Sequence, residues 1–268
     1  MGRSIPLGSI AGIRLQMHWT FLLLLGWVLL TNLLGGNTIF GSVLSVVFLL
    51  MLFACVVLHE LGHALAARMF GVPTEDITLL PIGGVARLQR IPKKPVQEII
   101  IALAGPAVNV VIAAVLFLLL TPAGGLTGVL GEPFAGGMLQ QLLAVNIFLV
   151  AFNLLPAFPM DGGRVLRALL AFVFDYGKAT RIAATIGQVC AVGFALLGLA
   201  NPILFLIAAF IFLGASAEAR QVAIQEQLGD YLVRDGMVRN FRVVPAEAPL
   251  ASIASYVLET HQQDFPVI

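Results

Sequence analysis

The sequence predicts an all-α membrane protein, with six transmembrane helices and a short membrane-associated β-hairpin between helices two and three. Three observations carry this. Of 268 residues, 59% are hydrophobic and only 11% are charged, where a soluble domain carries roughly 25% charged residues. Apolar runs recur at the length of about 20 residues that crosses the hydrocarbon of a bilayer. The basic residues avoid every second connection between those runs.

The six runs are Leu15–Leu34, Phe40–Phe70, Val96–Leu120, Leu139–Phe158, Arg181–Leu199 and Pro202–Ala219. The first is long enough to span and ends in no small-residue cleavage site, so it reads as a retained helix rather than a secretory signal. Lys and Arg favour cytoplasmic loops. All fifteen basic residues lie before helix one, after helix six, or in and at the edges of the connections from two to three and from four to five, with Arg68 in the last turn of run two and Arg181 at the start of run five. The connections near Asn32–Asn37, Thr121–Met138 and Ala200–Asn201 have none. Both termini are therefore expected in the cytoplasm of a multi-pass cell-membrane protein. A net charge of +1 without an extended basic patch gives no reason to expect a nucleic-acid partner. Cys55 and Cys190 fall in apolar segments and read as packing residues rather than a disulfide.

Between helices two and three, Ile77–Leu88 has β-branched residues around Pro81 and the pair Gly83–Gly84. That composition predicts a hairpin or looped strand pair. It is too apolar for an ordinary loop and reads in two ways: as a segment dipping into the protein or membrane surface beside an active site, with Gly83 and Gly84 in substrate binding, or as a helix-to-helix linker that packs on the bundle. Residues 1–220 are expected to form the membrane core. Residues 221–268 are more polar and include a predicted helix at Leu250–Glu259; because they end on an apolar strand-like run, they read as a linker and a truncated domain.

Residues 59–63 read His59-Glu60-Leu61-Gly62-His63. Histidines at i and i+4 share one helix face, and their imidazoles can converge on one Zn²⁺ at about 2.0–2.1 Å. Zinc lowers the pKa of a water that it binds to about 7. Glu60, beside the first histidine, can reach that water and act as general base. Ionisable residues within an apolar helix are costly and usually functional.

A catalytic zinc usually takes three protein ligands. The best third ligand is Asp161, in the run from Asn153 to Arg164, where two prolines end or kink helix four. The charge pattern puts Asp161 on the same side as the end of helix two. Asn153, about two turns earlier, could donate to a scissile carbonyl or form a plain interhelical hydrogen bond. His18 reads as an interfacial residue, and Glu98 suits the positive N-terminus of helix three.

The helix-borne HELGH followed by NLLPAFPMDGG resembles the site-2 protease family of intramembrane metalloproteases. Ala104-Gly105-Pro106-Ala107-Val108-Asn109 also matches a family pattern, and Asn109 is assigned to substrate binding with it. The resemblance covers about Leu15 to Arg220. It implies a six-helix core, zinc held by His59, His63 and Asp161, Glu60 as general base, and Asn153 assisting substrate or oxyanion. Substrates of that family are single transmembrane helices of regulatory proteins. Residues Tyr231–Ile268 resemble the first half of a cystathionine-β-synthase-type domain, through Val233–Met237, Val243–Pro245 and Asp264–Ile268. Nucleotide sensing is expected only of a full-length protein. The alternative function is a membrane metal-binding or transport protein without protease activity. Against it, no chain of polar residues marks a pathway.

Overall fold

The computed structural model describes residues 4–81, 83–88, 94–121, 136–229, 241–260, 262 and 264–268. The chain divides into two compact units, Met1–Val222 and Ala223–Ile268. The first opens with strands β1 (Ser4–Ile10) and β2 (Ile13–His18), then helices α1 (Thr20–Leu34) and α2 (Ile39–Met69). Strands β3 (Thr74–Leu80) and β4 (Gly83–Leu88) follow, then helices α3 (Pro95–Leu120), α4 (Met138–Asn153), α5 (Asp161–Leu170), α6 (Tyr176–Leu197) and α7 (Pro202–Gly229).

The protein is mostly helical. Among the described residues, α2, α3, α6 and α7 are long and apolar enough to cross a membrane. Helices α1 and α4 are apolar but have only 15 and 16 residues. The expected first span, Leu15–Leu34, is divided. Its first residues form β2, and the helix starts only at Thr20. The reason lies in the alternation of Ile13, Leu15 and Met17 with Arg14, Gln16 and His18, a strand period that averaged hydropathy conceals. Helix α4 stops at Asn153, before Pro156 and Pro159, in keeping with the ring's effect on a helix interior.

The expected two-stranded hairpin is half of a larger sheet, of order β1-β2-β3-β4. Strands β1 and β2 are antiparallel and turn through Ala11 and Gly12, both at positive φ, as a two-residue hairpin with the right twist requires. Arg68, at the end of α2, donates to the Ala11 carbonyl at 2.9 Å. Strands β2 and β3 run parallel, with Leu15 opposite Ile77. Strands β3 and β4 form the predicted antiparallel hairpin, with Leu79 opposite Gly84. Ile13, Leu15 and Ile77 are buried together against Leu61 and Ala64 of α2. The sheet thus packs on the helical turns that carry the histidines.

Helices α2 and α3 approach closely through Gly62. A Cβ there would lie 2.7 Å from the Ala104 carbonyl oxygen and 2.9 Å from Val108 Cγ2. Small residues at such crossings allow the backbone contact that holds membrane helices together. The loop after α4 threads between α6 and α7. Phe158 is buried among Ala183, Ala184 and Ala215, and Pro159 faces Gly214, where a Cβ would come within 2.5 Å.

In the second unit, Val244 and Val267 form a parallel bridge, and helix α8 spans Leu250–Thr260. The Val233–Met237 piece of the C-terminal resemblance lies outside the described residues.

Gly62→Ala is expected to destabilise the protein by about 1–3 kcal/mol, since an added methyl must push α3 away. Gly26→Ala in α1, which meets nothing within 4 Å, is expected to be neutral. Thermal melts in one detergent compare the two.

Candidate metal centre

Helix α2 has 31 residues and at 1.5 Å per residue is about 46 Å long. His59 lies ten residues from its end at Met69, about 15 Å along the axis. His59 and His63 are both buried. Their Nε2 atoms are 3.1 Å apart, and each is 3.2 Å from Oδ2 of Asp161, the first residue of α5. Sequence positions 98 residues apart therefore meet at one point.

Hydrogen bonds behind the ligands decide which atoms carry protons. Asn146 donates through Nδ2 to the Leu142 carbonyl at 2.8 Å. Its Oδ1 then accepts from Asn109 Nδ2, also at 2.8 Å. That leaves Asn109 Oδ1 facing His59 Nδ1 at 2.5 Å, so Nδ1 must donate. His63 Nδ1 donates to the Ile101 carbonyl at 2.7 Å. In both neutral imidazoles the remaining nitrogen, Nε2, is an unprotonated acceptor. Two lone pairs and a carboxylate thus face one another at hydrogen-bond distance with no proton among them. Positive charge is required there.

A cation ligated by all three atoms meets that requirement. A tetrahedral site with bonds of about 2.0–2.1 Å has ligand atoms about 3.3–3.4 Å apart, close to the separations found. Among the described residues, His59, His63 and Asp161 are the one group able to hold a metal ion in this way. Protonation of an imidazole is the competing solution. In that protonated state burial pushes the Asp161 carboxyl up, but the hydrogen bonds that imidazolium rings at His59 and His63 would donate outweigh it and hold the carboxyl well below the usual carboxylate range. Because metal binding needs neutral imidazoles, acid opposes it.

Gly105 of α3 keeps the cradle open. A Cβ on it would lie 2.2 Å from His63 Nε2 and 2.7 Å from His59 Nε2, inside the space bounded by the ligands. Glu60 is half-buried and adjoins His59 in the chain. Strand β4 covers it, and a Cβ on Gly84 would be 2.8 Å from Glu60 Cγ. Gly83, at positive φ, faces open space. The peptide bond between Phe158 and Pro159 is cis.

The structure therefore gathers His59, His63 and Asp161, with Glu60 and Gly84 alongside. Asn109 is different. Expected to bind substrate, it is fully buried behind His59 and fixes that ring's tautomer and orientation. Asn153 is half-buried at the end of α4, and among the described residues no side-chain hydrogen bond ties it to the cluster. Asn146 was not foreseen, although an asparagine in the apolar run of α4 is itself a signal. Glu98 is also more than a helix-end charge, since it is buried against Arg167.

Residues 47–200 match the model of peptidase family M50. A zinc metalloprotease of Methanocaldococcus jannaschii is 38% identical over 270 residues, covering 100% of this chain and 76% of that one. Rip3 of Mycobacterium tuberculosis is 35% identical over 289 residues, covering 100% of this chain and 72% of that one. A solved structure, the site-2 protease from Methanocaldococcus jannaschii, superposes with a TM-score of 0.57 at 41% identity, covering 81% of this chain and 95% of that one.

Gly105→Ala is expected to reduce zinc content from about one per chain to a trace in a protein that still folds. Asn109→Ala is expected to weaken zinc binding by about 10–100-fold, the usual effect of removing a ligand's own hydrogen-bond partner. Metal analysis and chelator competition on purified protein measure both.

Proposed function

Because this chain belongs to peptidase family M50, we propose that it is an intramembrane-cleaving zinc endopeptidase acting on a transmembrane segment of a regulatory membrane protein. The observation that carries this is the meeting of His59, His63 and Asp161 deep along an apolar helix. The donor set of two imidazoles and one carboxylate suits a catalytic zinc, which keeps a position for water or substrate.

When bound, zinc activates water and polarises the scissile carbonyl. Glu60 then takes a proton from the attacking water and returns it to the leaving amide nitrogen. It is suited to this by position, being next to His59 in sequence and free of hydrogen bonds among the described residues. Asn109 and the Ile101 carbonyl hold the two imidazoles in the ligating tautomer. Asn153 is assigned to the scissile carbonyl or the oxyanion; it is polar, half-buried and precedes the loop that leads to Asp161.

A helical substrate hides its peptide bonds in its own hydrogen-bond ladder and must unwind before attack. Strand β4 is the edge of the sheet next to β3, and Gly84 on it lies against Glu60. An unwound segment pairing with that edge by strand addition would be delivered to the general base. Six spans with both termini in the cytoplasm account for the placement of all fifteen basic residues. The short α1 and α4, about 22 and 24 Å long, then need a locally thinned bilayer.

Glu60→Gln is expected to reduce cleavage of a transmembrane peptide by at least about 10²-fold with zinc still bound. Equal cleavage by both proteins would point to a contaminating protease. N–H groups alternate sides along a strand, so one of Val85→Pro and Ala86→Pro removes an outward donor of β4. That variant is expected to cleave at least about tenfold more slowly with zinc content unchanged; unimpaired cleavage by both would remove strand addition.

A further inference from the structure

We infer that Arg167 is a positioning residue for the metal centre: it fixes Asp161 against the histidine pair by locking α5 to the end of α3 that aligns His63. The inference rests on the metalloprotease reading given above.

Helix α5 has only 10 residues, too few to be stable by itself, so its place is set by tertiary contacts. Asp161 is its first residue, and Arg167 lies in its last turn. Arg167 has no exposed surface at all. Its Nε donates to Glu98 Oε1 at 2.8 Å, and Nη2 donates to the same oxygen. Its Nη1 donates to Glu218 Oε1 of α7 at 2.5 Å. Its guanidinium lies over the rings of Phe158 and Tyr176, 5.0 and 4.9 Å from their centroids. One side chain therefore joins α5 to α3, α6 and α7, and to the loop that enters α5.

Two of these contacts bear on the ligands. Glu98 stands three residues before Ile101, whose carbonyl fixes His63. Phe158 stands three residues before Asp161 and is itself buried. Arg167 thus grips α3 one turn from His63's anchor and grips the chain on both sides of Asp161. Ligand atoms 3.2 Å apart tolerate little relative movement of α3 and α5. A merely cohesive buried ion pair is commonly replaceable by apolar residues, so a positioning role makes a different prediction.

Lysine keeps the charge but loses the planar fork and the stacking. Arg167→Lys is therefore expected to raise the zinc dissociation constant by roughly tenfold and to lower kcat with little change in KM. Arg167→Met should do more, and Glu98→Gln should act in the same direction. Phe21→Ala, in a separate core with Phe53 and Leu79, should lower Tm without altering zinc affinity.

The experiment is chelator competition for zinc, with kinetics on one transmembrane peptide, using the full chain in detergent. Variants of Arg167 or Glu98 that melt earlier but keep wild-type zinc affinity and kcat would overturn the assignment. Should neither Arg167 variant fold, Glu98→Gln alone decides on the same criterion. If wild type and Glu60→Gln cleave alike, the protease reading falls, while the zinc affinities still judge Arg167.

Discussion

Three hydrogen-bond acceptors brought face to face without a proton between them are unstable unless a positive charge sits among them. His59 Nε2, His63 Nε2 and Asp161 Oδ2 are held in that state by groups behind them. Leu142 supplies a backbone acceptor with no alternative tautomer or flip. The direction of each bond from there through Asn146 and Asn109 to His59 follows without choice. A second fixed carbonyl, at Ile101, does the same for His63. In a low-dielectric interior such half-satisfied networks are costly, so the arrangement stores an affinity for a cation. Much of the rest of the fold serves to keep those acceptors close.

That service is performed largely by absent side chains. Gly62 lets α3 lie against α2, Gly105 leaves the space that an ion needs, and Gly84 lets a strand rest on Glu60. Gly162 and Gly163 pack against the Leu154 and Leu155 carbonyls and the Phe158 nitrogen, where any Cβ would come closer than 3.0 Å. The loop between α4 and α5 is bent back tightly, and Asp161 is thereby carried to the histidines. Each of these glycines is a point of contact with backbone or with a side chain of the centre, which explains why substitution there is expected to act on the site rather than on solubility.

The centre was legible in the sequence because its signals are local. His59 and His63 are one helical turn apart, and Asp161 follows a pair of prolines in an otherwise apolar stretch. Four of the helices were legible from length and hydropathy alone. The N-terminal strands were not, since Leu15–Leu34 reads as one apolar run once the alternation at 13–18 is averaged away. The parallel pairing of β2 with β3 joins residues separated by two helices, and no local pattern announces it. The partners of Asn109 and Glu98 were hidden for the same reason. Asn146 and Arg167 lie far along the chain, and a sequence displays the oddity of a polar residue without saying what it meets.

The pairing of β2 with β3 has a mechanical meaning. β2 leads directly into α1, and α2 runs out into β3, so the two helices are clamped at one end by backbone hydrogen bonds. Arg68 adds a strut from α2 to the β1–β2 turn. The turn of α2 that bears the histidines cannot slide along its axis without tearing the sheet. The axial position of the histidine turn relative to α1 is therefore dictated by strand register, which acts as an internal ruler.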